Sequence, residues 1–184
     1  MKTIGKIHIT PKEIVLNDRK LEVEGVGAEL LKDAYRRYVG DYPKFFKMDA
    51  LCRLGLVASE LLLKDEGDRK EEPRSDRAII FFNEHSSKAI DEKYAQTIQD
   101  KENYFPSPAA FVYTLPNIVT GEIAIRNHYQ GETCFYVLEH RDDEIIRKVV
   151  EETLVDETIN SCLCGWLDST NLEEFLADLS LIEK

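Results

Sequence analysis

The sequence predicts an α/β fold: a mainly parallel sheet of about four core strands, covered by helices and preceded by an N-terminal hairpin. Three observations carry this prediction. Strand-length apolar runs at 78–82, 132–139 and 160–167 alternate with amphipathic segments of helical length. The run AIIFF (78–82) is continuous rather than alternating, as in a strand covered on both faces. Residues 3–9 alternate as a first strand, and EIVLNDRKLEV (13–23) reads as two alternating runs joined at Asn17-Asp18.

The elements follow in order. Leu30, Leu31, Ala34 and Tyr35 mark a short helix. MDALCRLGLVASELLLKD (48–65) is the clearest helix, with Asp49 as N-cap and Leu51, Leu54, Val57, Ala58, Leu61 and Leu62 at helical period. The charged run 64–77 reads as a solvated loop. A helix capped by Ser86 or Ser87 is predicted over 86–101, then a loop rich in proline and aromatics over 103–117. The Pro-Ser-Pro segment 106–108 is placed in an ordered crossing loop outside any regular helix. Thr114 and Pro116 start a helix that runs to about Tyr129. Gly121 inside it costs about 1 kcal/mol relative to alanine, which favours close backbone packing beside Ile118, Ile123 and Ile125 over a tolerated surface glycine. The strand 132–139, a helix over 142–155, the strand 160–167 and a short amphipathic helix over 171–181 complete the chain.

Composition narrows the function classes. The 184 residues suit a single domain over 1–184 with a core of its own, and the 43% hydrophobic and 32% charged fractions are those of a globular protein. A net charge of −11 speaks against nucleic acid as partner. No apolar run reaches membrane-spanning length and the N-terminus lacks a signal-peptide core, so a cytoplasmic location is expected. Four cysteines without a disulfide pattern fit that compartment. Cys52 falls in a helix and Cys134 in a strand, while Cys162 and Cys164 share one face of another strand. A C-x-C pair with no histidine nearby is a poor zinc site, so neither metal nor cofactor is expected.

Four segments, in order, resemble the N-terminal half of a β-ketoacyl-[acyl-carrier-protein] synthase of the thiolase-like superfamily: KMDALCRLGLVASELLLKD, RAIIFFNEHSS, PSPAAFVYTLPNIVTGEIAIRNHYQGET and INSCLCGWLDS. The resemblance implies a truncated thiolase-like half. In that family the strand after the glycine turn leads to a nucleophilic cysteine at the N-terminus of a buried helix, where the helix dipole favours a thiolate. By the family's spacing that cysteine falls at or beside His140, where this chain has Glu139, His140 and Arg141, and Cys134 stands six residues too early. Asp142, Asp143 and Glu144 disfavour a thiolate there. The family's two catalytic histidines belong to a C-terminal half beyond this chain.

The resemblance therefore implies a ketosynthase-like protein that does not catalyse condensation by itself. It would act as a homodimer, or as a heterodimer with a ketosynthase, in fatty-acid, polyene or polyketide synthesis. Cys134 and Tyr136 in the strand TCFYVLE are the candidate interface, and the surfaces left bare by a missing half are expected to be apolar. An acyl carrier protein is a possible contact through Arg126, His128, Arg141, Arg147 and Lys148, although carrier proteins are themselves acidic. One alternative is an acyl-thioester-processing enzyme of acyltransferase or 3-oxoacyl-ACP synthase type. It would draw on Glu139, His140 and His85, within a cluster that adds Asn83, Glu84 and Asp168 at strand ends. Another is a split ketosynthase completed by a partner chain. His8 and His128 read as structural or surface residues, and Trp166 as core or interface.

Overall fold

The structure is a computed structural model that describes residues 1–102 and 104–184, with side chains for all of these except 68–71. Seven strands form one sheet: β1 (Lys2–Thr10), β2 (Glu13–Leu16), β3 (Arg19–Lys20), β4 (Arg77–Asn83), β5 (Thr133–Val137), β6 (Ser161–Ser169) and β7 (Phe175–Glu183). Their spatial order is β3-β2-β1-β7-β6-β4-β5. Only β4 runs parallel to its neighbours, β5 and β6; the pairs β1–β2, β2–β3, β1–β7 and β6–β7 are antiparallel. The α/β class holds, but the sheet is mixed rather than mainly parallel and larger than four core strands. The difference lies in the segment predicted as a helix over 171–181. It is β7, in the middle of the sheet, where Phe175, Ala177, Leu179 and Leu181 are buried at period two.

At the opposite end of the chain, the hairpin forms as predicted. Asn17 (φ 48°) and Asp18 (φ 64°) both take left-handed backbone, the requirement of a two-residue turn that matches strand twist. The second strand is short, and residues 21–23 leave the sheet.

Helices α1 (Ala28–Ala34), α2 (Ala50–Leu62) and α5 (Ile118–Arg126) cover one face of the sheet. Asp49 caps α2, its Oδ1 accepting from the Cys52 N–H at 3.0 Å. Because α2 lies between sheet and helices, it is buried almost all round. Gly55 allows this: a methyl there would overlap Val119 Cγ2 of α5 and press on Leu167 Cδ2 of β6 at 3.0 Å. Gly121, predicted to sit at such an approach, has open space where a Cβ would point. The close contact exists between these helices, but the glycine that permits it is on the other one.

Helix α6 (Asp143–Thr153) packs on the opposite face, over a second core formed by Ala78, Ile80, Phe82, Val150, Leu154, Cys162, Cys164 and Trp166. β4 is buried along its whole length because both layers meet on it. Helix α3 (Lys88–Gln96) is shorter than predicted. Ser87 holds its N-cap position, yet the hydroxyl donates to the Thr114 carbonyl at 2.5 Å and does not cap. Helix α4 (Pro108–Val112) lies inside the predicted loop 103–117, of which Asn103 falls outside the described residues. Pro108 stands in the first turn, where a missing N–H costs nothing, and Ser107 Oγ accepts from the Ala110 N–H at 3.2 Å.

The run 64–77 is less solvated than predicted. Its Lys64–Glu71 part forms two 3-10 turns separated by a kink at Gly67, and the first brings Glu66 to Arg77, whose side chain is 1% exposed. The guanidinium donates to both Glu66 oxygens (2.7 and 2.9 Å), to Tyr129 Oη (2.8 Å) and to Ser161 Oγ (2.9 Å). The charge is thus fully paired as it enters the sheet.

The two glycines give opposite predictions. Gly55→Ala should lower stability by about 1–3 kcal/mol through overpacking. Gly121→Ala should raise it by roughly 0.5–1 kcal/mol, by helix propensity alone. Urea midpoints of the two variants check both.

Candidate functional site

The carboxyl ends of β4, β5 and β6 gather most of the polar residues singled out in the sequence. His85 and Asp168 meet: Nδ1 lies 2.7 Å from Asp168 Oδ2, and the His85 backbone N–H donates to Oδ1 at 3.2 Å. A carboxylate so placed fixes the ring and leaves Nε2 as the nitrogen it does not engage. Asn83 is fully buried and closes the turn, donating from Nδ2 to Ser86 O (2.8 Å) and accepting from the Ser86 N–H (3.0 Å). Ser86 takes a positive φ of 50° in this turn. Glu84, Glu139 and His140 are exposed. Glu139 and His140 make no side-chain hydrogen bond or ion pair with a described residue, so the structure does not join them as an acid/base pair.

Arg141 is the residue of that turn which is held. Its Nε pairs with Asp143 at 2.8 Å, and its Nη1 reaches Asp178 in β7, which also receives His8 Nδ1. His8, Asp178, Trp166, Phe82 and Tyr136 are successive partners across five strands on one sheet face. Asp178 therefore ties the β5–α6 turn to the far side of the sheet. Burial alone would raise its carboxyl, but hydrogen bonds and charge from His8 and Arg141 outweigh that and hold it below the usual carboxylate range. Sequence reasoning missed this cluster because Asp178 fell in a predicted helix. The signal that finds it is the alternation over 175–183.

Asp142 caps α6, its Oδ1 accepting from the Glu144 N–H (2.9 Å) and the Ile145 N–H (3.0 Å). Carboxylates of Asp142, Asp143 and Glu144 thus crowd the helix start. Cys134 lies in β5, partly buried against the second core. Hydrogen bonding to Cys164, together with burial, keeps the Cys162 thiol protonated, and burial does the same for Cys52.

The five basic residues do not form one patch. Arg126 ends α5, 3.6 Å from Glu60 and over the Tyr42 ring, while His128 lies two residues on at positive φ. Arg141, Arg147 and Lys148 surround α6 on the other face, where Arg147 pairs with Glu151 (2.8 Å) and Lys148 with Glu152 (4.0 Å). The face beyond α6 is polar in part, since β1 and β7 place Lys6, His8, Asp178 and Ser180 there. Among the described residues no cluster could hold a metal ion, and no helix is long and apolar enough to cross a membrane.

β5 forms one edge of the sheet. Tyr136 stacks on Phe82 with ring centroids 5.0 Å apart and is 36% exposed, and Val137 is 49% exposed. Glu132 O and Leu138 N–H bond to β4. By strand alternation, the amides of Thr133, Phe135 and Val137 face away from it, toward the open edge.

The Asp178 cluster predicts acid sensitivity of a definite sign. A carboxyl held below its unfolded value stabilises the protein above that value, near 3.9, and the stabilisation is lost as pH falls through the folded pKa. Asp178→Asn should cost about 2 kcal/mol at neutral pH and flatten the acid limb of stability, read as urea midpoint against pH.

No family model matches the chain, and no curated protein does. Solved structures do. Over 99% of its length it superposes on 61% of a chain of the ishigamide ketosynthase/chain length factor, with a TM-score of 0.67 and 15% identity. It superposes over 100% on 78% of a chain in the complex of a ketosynthase (ApeO) with its chain length factor (ApeC) from Xenorhabdus doucetiae, with a TM-score of 0.61 and 14% identity. It superposes over 98% on 57% of a chain of AntDE:AntF, a type II PKS acyl-carrier protein in complex with its ketosynthase, with a TM-score of 0.61 and 9% identity. The chain thus spans about three fifths of the first of these proteins, and its mixed α/β fold is similar to the fold of ketosynthase and chain length factor proteins.

Proposed function

We propose that this protein is a non-catalytic, ketosynthase-like association module that pairs with a second copy or with a ketosynthase, in polyketide, polyene or fatty-acid synthesis. The observation that carries this reading is the β5–α6 turn. Where the resembled family places its nucleophile, this chain has exposed Glu139 and His140, Arg141 locked to Asp143 and Asp178, and a helix start crowded with carboxylates. The fold neighbours are themselves complexes of ketosynthase with chain length factor or carrier protein, which favours a partner of that kind.

Directly before that turn, β5 offers a means of pairing. Its outward amides and the exposed Tyr136 and Val137 form an edge that another strand can extend. Cys134 packs inward against the second core and supports the edge from behind.

A second reading rests on the His85–Asp168 pair, an oriented imidazole at the strand ends where ligands of open α/β sheets bind. It makes the protein an acyl-thioester-processing enzyme. Turnover of an acyl-thioester by the purified chain, lost in His85→Ala, would favour it.

Light scattering tests the leading reading, on the chain alone and co-expressed with a ketosynthase. A stable dimer or heterodimer is expected. Val137→Pro, which removes an outward N–H and leaves the β4 bonds intact, should weaken association by about tenfold or more while circular dichroism stays unchanged. A chain that remains monomeric under both conditions would refute the proposal.

A further inference from the structure

We propose that the cleft bounded by β1, β7 and the N-terminal half of α6 binds a small amphipathic monocarboxylate, its apolar body against the sheet and its carboxylate at a cationic mouth. The proposal is independent of the association reading and of the β5 edge.

The cleft exists because α6 covers the sheet only over β4 and β6, so the same face of β7 and β1 remains open beside the helix. Its volume is about 480 Å³, within the range of small-molecule sites. Trp166 and Cys164 of β6 form the floor, and Ile146 and Val150 of α6 form one wall. That floor is itself buried, and the apolar surface that water reaches is at its edges, on the partly exposed Val15, Ile146 and Ile182, which an apolar ligand would cover.

Charge selects the other end of the ligand. The carboxylate inside the cleft, Asp178, is already matched by His8 and Arg141, and Asp143 at the rim is held by the same arginine. Two cations remain within reach. The Lys6 ammonium pairs with no described residue, and among the described residues Arg147 is held by Glu151 alone, an exposed partner one helical turn further along. A carboxylate can replace so weak a partner. Asp18, exposed in the hairpin turn, is the rim carboxylate that opposes this and limits affinity.

The protein carries its own reporter, since Trp166 is the only tryptophan in the sequence and lines the floor. The full chain is titrated with decanoate, with decylamine as the probe of opposite charge, and binding is followed by Trp166 fluorescence and by calorimetry. Decanoate should give a saturable change in Trp166 emission and decylamine a much weaker one. Lys6→Gln combined with Arg147→Gln, both on the surface, should weaken decanoate binding by roughly fivefold or more, and Asp18→Asn should tighten it. Any of three results overturns the proposal: no saturable binding, equal responses to the two probes, or calorimetric binding that leaves Trp166 silent. The third would place decanoate elsewhere, on the exposed aromatics Phe105 and Phe111 for example.

Discussion

The structure depends on one strand being hydrogen-bonded along both edges. β7 joins the N-terminal hairpin to the parallel strands, and among the described residues the sheet has no other link between them. Its register also sets the chemistry of the sheet face. Asp178 lies opposite His8 on one side and Trp166 on the other because Leu179 pairs with Ile7 and with Gly165. A slip of one residue would turn Asp178 into the apolar layer beneath α2 and expose Leu179. Gly165 (φ 138°) fits this register closely, since a methyl there would collide with the Asp178 carbonyl. The anchor that holds Arg141, and with it the start of α6, follows from pairing on the far side of the sheet.

Much of this was legible in the sequence where local signals agree. Asn17-Asp18 specified the hairpin, Asp49 the start of α2 and the unbroken AIIFF run a strand buried on both faces. β7 was not legible, for a definite reason. Leu172, Phe175, Leu176 and Leu179 recur at helical spacing, while Phe175, Ala177, Leu179 and Leu181 recur at strand spacing. Two periods fit one segment, and the choice was made by distant partners. Gly55 went unnoticed for a similar cause: a small residue in a strong helical pattern shows its purpose only once Val119 and Leu167 lie against it.

The candidate site was read in part. Its strand-end location and its members followed from the alternation of elements, but which of them meet did not. His85 finds Asp168 across two strands, whereas Glu139 and His140, adjacent in sequence, remain apart at the surface. Arg141 was named for its charge toward a partner, and the fold uses that charge internally. The chain is strongly acidic, and Arg126, Arg141, Arg147 and Lys148 each lie against a neighbouring carboxylate.

The central place of β7 has a consequence for how the chain reaches its native state. His8 and Asp178 are neighbours in space but lie 170 positions apart in sequence. As the polypeptide leaves the ribosome, β1 and its hairpin must wait with one edge unpaired while the 170 positions that separate these two residues follow. Contacts of such long range make folding slow, and an unpaired strand edge during that interval is open to the wrong partner. Lys2, Lys6 and Lys12 on and beside β1 are the kind of residues that discourage such pairing.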